Sequence, residues 1–258
     1  MGFVKLEQQG HVGILTIDRQ EALNALNSQV LSDLDAALDQ VEANEEIYVV
    51  ILTGAGRSFV AGADIGEMKQ FSSIDGRNFG IHGGNVFLKL ENLSKPVIAA
   101  VNGFALGGGC EISMACDIRV AAENAKFAQP ECGLGILPGF GGTQRLARLV
   151  GKGRAKEMIF TCDMIDAQDA YRIGLANHVV PQEELLDYCK AMAGRIMKNA
   201  PYAVSLAKQV INSGADMDLD NGLKLEANIF GLSFSTEDKK EGMTAFLEKR
   251  KEKHFIGK

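Results

Sequence analysis

The sequence predicts an α/β fold that ends in an all-helical region. Three observations point there. Apolar runs at 48–53, 96–101 and 118–122 read as buried strands. Stretches with apolar residues at helical spacing separate them, and alternation of strand and helix favours an α/β architecture. From about residue 183 onward, helical patterns follow one another with no strand between them. These place an α/β core over 1–195 and a helical region over 196–258. A chain of 258 residues allows one large domain, or one domain plus a small one.

In chain order, Val4 and Leu6, then Val12, Ile14 and Thr16, alternate about Gln9-Gly10 and read as a hairpin. Residues 24–28 read as a helix entry. Val30, Leu31, Leu34, Ala37, Leu38 and Val41 follow at helical spacing, so one face of that helix is buried. Glu45-Glu46 ends it before the strand at 48–53. Residues 58–65 read as a small apolar loop. Residues 66–92 are rich in glycine and read as irregular until a helix at 86–90. So soft a segment suits a lid or pocket wall, and equally a variable surface connection. The strand at 96–101 runs through Asn102-Gly103 to Gly107, Gly108 and Gly109, which open a helix at 110–117. A strand at 118–122 and residues 126–128 lead to Gln129-Pro130-Glu131. A loop through Gly133, Gly135, Gly139, Gly141 and Gly142 enters a helix at 144–150. Further helices are predicted at 155–160, 167–175, 183–198, 202–211, 219–230 and 239–250, with an extended piece at 178–181. Pro201, Gly214 and Gly231 punctuate the last helices.

Composition narrows the function classes. With 46% hydrophobic and 23% charged residues the chain is ordinary globular protein. A net charge of −6 argues against general attraction to phosphate backbones. Cys110, Cys116, Cys132, Cys162 and Cys189 are odd in number with no C-x-x-C pair, which suggests reduced thiols in a cytoplasmic protein. Cys110 and Cys132 adjoin glutamates, but no histidine lies near in sequence to activate either. His11, His82, His178 and His254 are scattered, so no metal site is expected. The first residues lack a signal-peptide core, and no run reaches the ~18 apolar residues of a membrane span. No glycine cluster fits a dinucleotide or nucleoside-triphosphate loop. The His82-Gly83-Gly84 run has no G-x-S-x-G elbow to serve.

The stretch from Val101 to Glu131 carries the chemistry. A buried strand feeds a glycine turn, and the turn opens a helix with Glu111 in its first turn. The first N–H groups of a helix have no internal partner and lie at the positive end of its dipole. Glycines there let a ligand approach, so the turn can seat an anion or a developing oxyanion. A carboxylate one turn in can act as a base on what sits there. Alternatively, the glycines only permit close packing and Glu111 is a solvated acid. A second loop, Ala61-Gly62-Ala63-Asp64-Ile65, follows another buried strand and can supply a second N–H donor.

Ala61 to Ile65, Asn102 to Glu111, Gln129-Pro130-Glu131 and the run from Pro138 to Leu146 resemble the crotonase family over about residues 4–253. The likeness is greatest to its enoyl-CoA hydratases and, among these, to short-chain 3-hydroxybutyryl-CoA dehydratases. The resemblance implies a spiral of ββα repeats with a C-terminal helical region that packs at a trimer interface, in a homotrimer or homohexamer. It implies an acyl-CoA thioester substrate and no separate cofactor, coenzyme A being part of the substrate. It makes the amides of Ala63 and Gly108 the oxyanion donors, with Glu111 activating water and Glu131 protonating the α-carbon. Ala61, Ala63, Asp64 and Ile65 match the loop that cradles coenzyme A, although Asp64 can equally cap a helix. Phe230, Phe246 and Lys249 match positions that help close the coenzyme A site; otherwise they are helix core and a solvated charge.

The fold also hosts isomerases and hydrolases that stabilise a thioester enolate, so it does not decide the reaction. Retention of both glutamates favours hydration. One branch of the family binds RNA through a basic helix face, whereas the corresponding helix here carries Asp33, Asp35, Asp39, Glu42, Glu45 and Glu46. No nucleic-acid or membrane partner is expected.

Overall fold

The computed structural model describes residues 2–258. Strands β1 (Val4–Gln9) and β2 (Val12–Ile17) form an antiparallel hairpin with Gln9 opposite Val12. Helix α1 (Ser28–Ala43) follows. Its N-cap Asn27 accepts the Val30 N–H at 2.8 Å, and its buried residues are the six that the spacing predicts.

Three successive units then each place one strand in each of two sheets. They are β3 (Val49–Gly54) with β4 (Ser58–Val60), β5 (Val97–Val101) with β6 (Phe104–Leu106), and β7 (Ile118–Ala122) with β8 (Lys126–Ala128). The longer strands join the hairpin in a sheet of order β1-β2-β3-β5-β7-β10, where β10 (His178–Val180) is the edge. All pairs after the hairpin are parallel. The short strands form a second sheet, β4-β6-β8-β9, parallel except where β9 (Ile165–Asp166) closes it. A helix follows each unit, so the chain winds as a spiral of ββα repeats. The crossing between sheets is held by side-chain amides. Buried Asn24 Nδ2 donates to the carbonyls of Ala55, Ser58 and Phe59, and Asn102 Nδ2 donates to those of Gly54 and Gly56. These satisfy carbonyls that leave one ladder before entering the next.

Side-chain parity divides the interior. Val50, Leu52, Val97, Ala99, Val101 and Ala121 face the cluster that holds α1 and Phe79, Val86, Phe87 and Leu90. Val49, Ile51, Ile98, Ala100, Val120 and Ala122 face the other way, onto Leu185, Cys189, Met192 and Ala193 of a later helix. That parallel strands are buried on both faces explains their unbroken apolar runs.

Two stretches depart from the sequence expectation: residues 58–60 of the expected loop form β4, and the segment after it is helical. Residues 66–92 are mostly regular: α2 (Ile65–Met68) is followed by α3 (Ser73–Glu91), a long helix through Gly76, Gly80, Gly83 and Gly84. A capping box between Ser72 and Asp75 starts it. Gly83 is where α3 meets the loop after β8, since a Cβ there would lie 2.4 Å from the Phe140 ring. Of the glycines that disguise the helix, Gly83 is a close contact point, whereas a Cβ on Gly76 or Gly84 would meet nothing within 4 Å.

Helices α4 (Gly108–Ala115), α5 (Gly142–Val150), α6 (Lys152–Thr161) and α7 (Ala167–Arg172) complete the spiral. Helix α8 (Leu185–Ile196) covers the outer face of the large sheet. Beyond it run α9 (Pro201–Gly214), α10 (Leu219–Ser233) and α11 (Glu237–Leu247). Helix α9 is tied to the core by a Lys208–Asp117 ion pair of 2.8 Å, whereas α10 has no buried residue. No described helix is long and apolar enough to cross a membrane.

Candidate active site

The site forms where the loops after β4, β6 and β8 converge on the N-terminus of α4. Gly109 lets them meet: a Cβ there would fall 1.8 Å from the Val60 carbonyl oxygen, so only glycine allows α4 to dock against β4. As a result Ala63 and Gly108 lie side by side, and a Cβ on Gly108 would be 3.6 Å from the Ala63 nitrogen. The Leu26 amide donates to the Gly62 carbonyl and the Asp64 amide to the Leu26 carbonyl. Those bonds leave the intervening Ala63 N–H turned away, with no acceptor among the described residues. Gly108 is the first residue of α4, so its N–H has no intrahelical partner. Two bare donors therefore lie together at the positive end of a helix.

Glu111 is only 1% exposed. Its Oε1 accepts from the amides of Phe140 at 2.8 Å and Gly142 at 2.7 Å. Burial raises this carboxyl above the usual carboxylate range; the two amide bonds and the Arg145 charge oppose that rise. Glu131 sits in a 3-10 turn, Pro130–Leu134, that follows β8. Its Oε1 lies over Gly107, where a Cβ would be 2.4 Å away and φ is +50. Its Oε2 is buried with no partner among the described residues. Burial first, then repulsion from Glu111, pushes Glu131 up to about 7.

A cavity of about 570 Å³ joins these groups. Glu111, Glu131, Ala63 and Gly108 all line it, together with Ala61 and Ile65. Phe71, Phe79 and Phe140 form one wall. The Phe140 ring meets those of Phe79 and Phe87 edge-on, with centroids 5.2 and 5.4 Å apart. A second cavity of about 590 Å³ lies between Glu42, Tyr48, Lys95 and Tyr202 and holds neither of the two glutamates.

A buried pair of unlike carboxyls thus lies beside two bare amides in one cavity. The family described as enoyl-CoA hydratase/isomerase matches residues 7–256. The chain belongs to that family. It is 59% identical to a short-chain-enoyl-CoA hydratase of Clostridium acetobutylicum, over 98% of this chain and 97% of that protein. It is 54% identical to a crotonyl-CoA hydratase of Syntrophomonas wolfei, again over 98% and 97%. A crystal structure of enoyl-CoA hydratase from Bacillus anthracis superposes with a TM-score of 0.95 at 41% identity, covering 99% of this chain and all of that one.

Within this hydratase/isomerase framework, four of the sequence-derived site residues lie elsewhere in the chain or point elsewhere. The Asp64 side chain does not line the cavity. It caps α2 through the Glu67 amide and pairs with Arg19 at 2.7 Å. The Arg19 contact holds its carboxyl below the usual range. Phe230 and Phe246, 64% and 77% exposed, lie on α10 and α11, and Lys249 follows α11; none of the three lines the cavity. Sequence reasoning also missed groups that the fold supplies. The amides of Phe140 and Gly142 hold Glu111, and no residue-type signal marks a backbone donor. Gln129 is fully buried beside Glu111, its side-chain amide without a hydrogen-bond partner among the described residues. The Gln129-Pro130-Glu131 motif pointed to the place without giving the glutamine a role. Cys110 is held protonated, since burial pushes its thiol up to about 12.

The raised carboxyl of Glu131 has a stability consequence. A carboxyl whose folded pKa exceeds its unfolded value stabilises fully below the unfolded value, and that contribution is lost as pH rises through the folded one. The window here runs from the ordinary 4.5 to about 7. Glu131→Gln is therefore expected to be more stable than the parent at pH 8, by about 2 kcal/mol after discounting for partial exposure. The gain should fade toward pH 5. Urea denaturation at the two pH values measures it, and equal stability of both proteins at pH 8 would contradict it.

Proposed function

We propose that the protein catalyses reversible hydration of a short-chain trans-2-enoyl-CoA, crotonyl-CoA to 3-hydroxybutyryl-CoA, as a carbon–oxygen hydro-lyase. One observation carries the reading: two carboxyls of unlike environment line the cavity into which two adjacent amides are turned. The thioester carbonyl sits on the amides of Ala63 and Gly108, which stabilise the enolate formed when hydroxide adds to the β-carbon. Glu111, oriented by its two amide bonds, takes a proton from water as the new C–O bond forms. Glu131, protonated near neutral pH, delivers a proton to the α-carbon, and the carbonyl reforms. Hydroxyl and hydrogen enter from the same face, and both acids line the one cavity. Each cycle leaves Glu111 with one proton more and Glu131 with one fewer, and proton exchange restores the pair.

Coenzyme A enters as part of the substrate, and no separate cofactor has a role. The loop of Ala61, Ala63, Asp64 and Ile65 cradles it, with Asp64 contributing backbone because its side chain is engaged by Arg19. Phe230, Phe246 and Lys249 reach a coenzyme A site only in an assembly, which fits a homotrimer or homohexamer built through the helical region 196–258. The exposed apolar residues Leu219, Leu223, Phe230, Phe246 and Leu247 on α10 and α11 support such an interface.

The test follows the ultraviolet absorbance of crotonyl-CoA with purified protein and no added cofactor. Rapid loss supports the reading; binding without loss would move the reaction to another branch of the family. Chain length gives a further prediction. The aromatic wall at Phe79 and Phe140 limits the acyl end, and a methylene in such a pocket is worth about 1–3 kcal/mol. Phe140→Ala keeps the amide that binds Glu111 and should raise the relative kcat/KM for a six-carbon over a four-carbon enoyl-CoA by about 10-fold. An unchanged ratio would place the chain-length wall elsewhere.

A further inference from the structure

The loop that holds Glu111 is itself anchored from outside the cavity. Arg145 of α5 donates through Nε and Nη2 to the carboxylate of Glu91 at the end of α3, at 2.7 Å for the shortest bond. Through Nη1 it donates to the Phe140 carbonyl at 3.0 Å. The guanidinium lies on Gly141, whose φ is +108 and where a Cβ would fall 2.2 Å from Nη1. Glu91 is fixed in turn, since Asn212 Nδ2 of α9 donates to its carbonyl at 3.0 Å. One short loop is therefore gripped from both sides. Arg145 holds the Phe140 carbonyl from behind, while the Phe140 and Gly142 amides hold Glu111 in front.

We propose that Arg145, with Glu91 as its counter-ion, is a positioning residue for the hydration reaction, clamping the loop whose amides orient Glu111. The proposal rests on the reading that Glu111 activates water. Arg145 does not line the cavity and touches no reacting atom. It is largely buried, with a side chain 14% exposed, so its pairing is weakly screened. A planar guanidinium can satisfy a carboxylate and a carbonyl together, which a lysine cannot do with the same geometry.

The clamp also carries charge toward Glu111. The groups about Glu111 are Glu131 of the 3-10 turn, Cys110 of α4, and Arg145 of α5 backed by Glu91 of α3, while Arg77 of α3 lines the same cavity. The loop at 61–63 presents amides only. Burial opposes ionisation of Glu111, and the Gly142 and Phe140 amides followed by the Arg145 charge favour the ionised base. Without that charge the Glu111 carboxyl rises further, and the acid limb of the rate moves to higher pH.

The experiment compares Arg145→Met, Arg145→Lys and Glu91→Gln with the parent and with Glu111→Gln in crotonyl-CoA hydration. Arg145→Met is expected to lose about 10- to 100-fold in kcat with KM little changed, as a small misplacement of a catalytic group would cause. Its acid limb should move to higher pH. Arg145→Lys should restore the limb but only part of kcat. Glu91→Gln should lower kcat without moving the limb to higher pH, because the Arg145 charge remains and loses its counter-ion. A parent-like kcat and pH profile in Arg145→Met would overturn the clamp. So would a loss of kcat with an unmoved limb and a lowered Tm, which is the signature of a merely structural pair. If Arg145→Met does not fold, parent-like kcat in Arg145→Lys overturns it. Parent-like activity in Glu111→Gln would instead remove the water-activation reading, a separable failure.

Discussion

Glu111→Gln and Glu131→Gln are each expected to lower the hydration rate about 10²–10⁴-fold, the range for loss of a positioned acid or base. The two losses should differ in their pH dependence. Glu131 must be protonated to donate to the α-carbon, and its carboxyl is pushed up to about 7. Hydration by the parent should therefore decline as pH rises through about 7. Dehydration starts from the form with that single proton on Glu111 instead, so its kcat/KM should follow the same pH profile, as a reaction with no net proton uptake requires. Glu131→Gln removes that inflection from the residual rate, whereas Glu111→Gln retains it at lower pH, because the repulsion from Glu111 is gone. The two carboxyls interact, so the measured values belong to the pair. Stopped assays in both directions across pH 5–9 check this. Turnover by either variant near the parent rate would end the two-acid mechanism.

Ala63→Pro is expected to cost about 10²–10³ in kcat, the usual effect of removing one oxyanion donor. Ala63 has a negative φ, so proline meets no left-handed backbone there. The lost N–H has no acceptor in the chain, so no internal hydrogen bond disappears with it. Stability should change little while the chemical step slows. Thermal unfolding alongside single-turnover kinetics separates the two effects. A parent-like kcat would mean that the thioester oxygen does not sit on this amide.

Local pattern carried far where an element is long and half-buried. The α1 face from Val30 to Val41 and the apolar strands β3, β5 and β7 were legible because burial imposes a period on residue type. Helix α3 was not, because Gly76, Gly80, Gly83 and Gly84 lower helix propensity and tertiary contact outweighs it. The Ser72–Asp75 capping box was a usable signal that glycine content obscured. The second sheet left no trace, since β4, β6 and β8 span three residues each, too few for a period to show.

By itself the sequence determined the α/β class, the glycine turn ahead of Glu111 and the motifs that carry the family. These depend on residue type and near spacing, which a chain displays before it folds. Only the tertiary structure decided that two strand-ending loops meet at Gly109, that Ala63 and Gly108 present adjacent amides, and that Glu111 hangs from the Phe140–Gly142 loop with Arg145 behind it. Backbone donors have no residue signature. The ionisation of Glu131 depends on burial and on a neighbour twenty positions away in sequence. Both are properties of packing, because the local dielectric and the distance between charges exist only once the chain has folded.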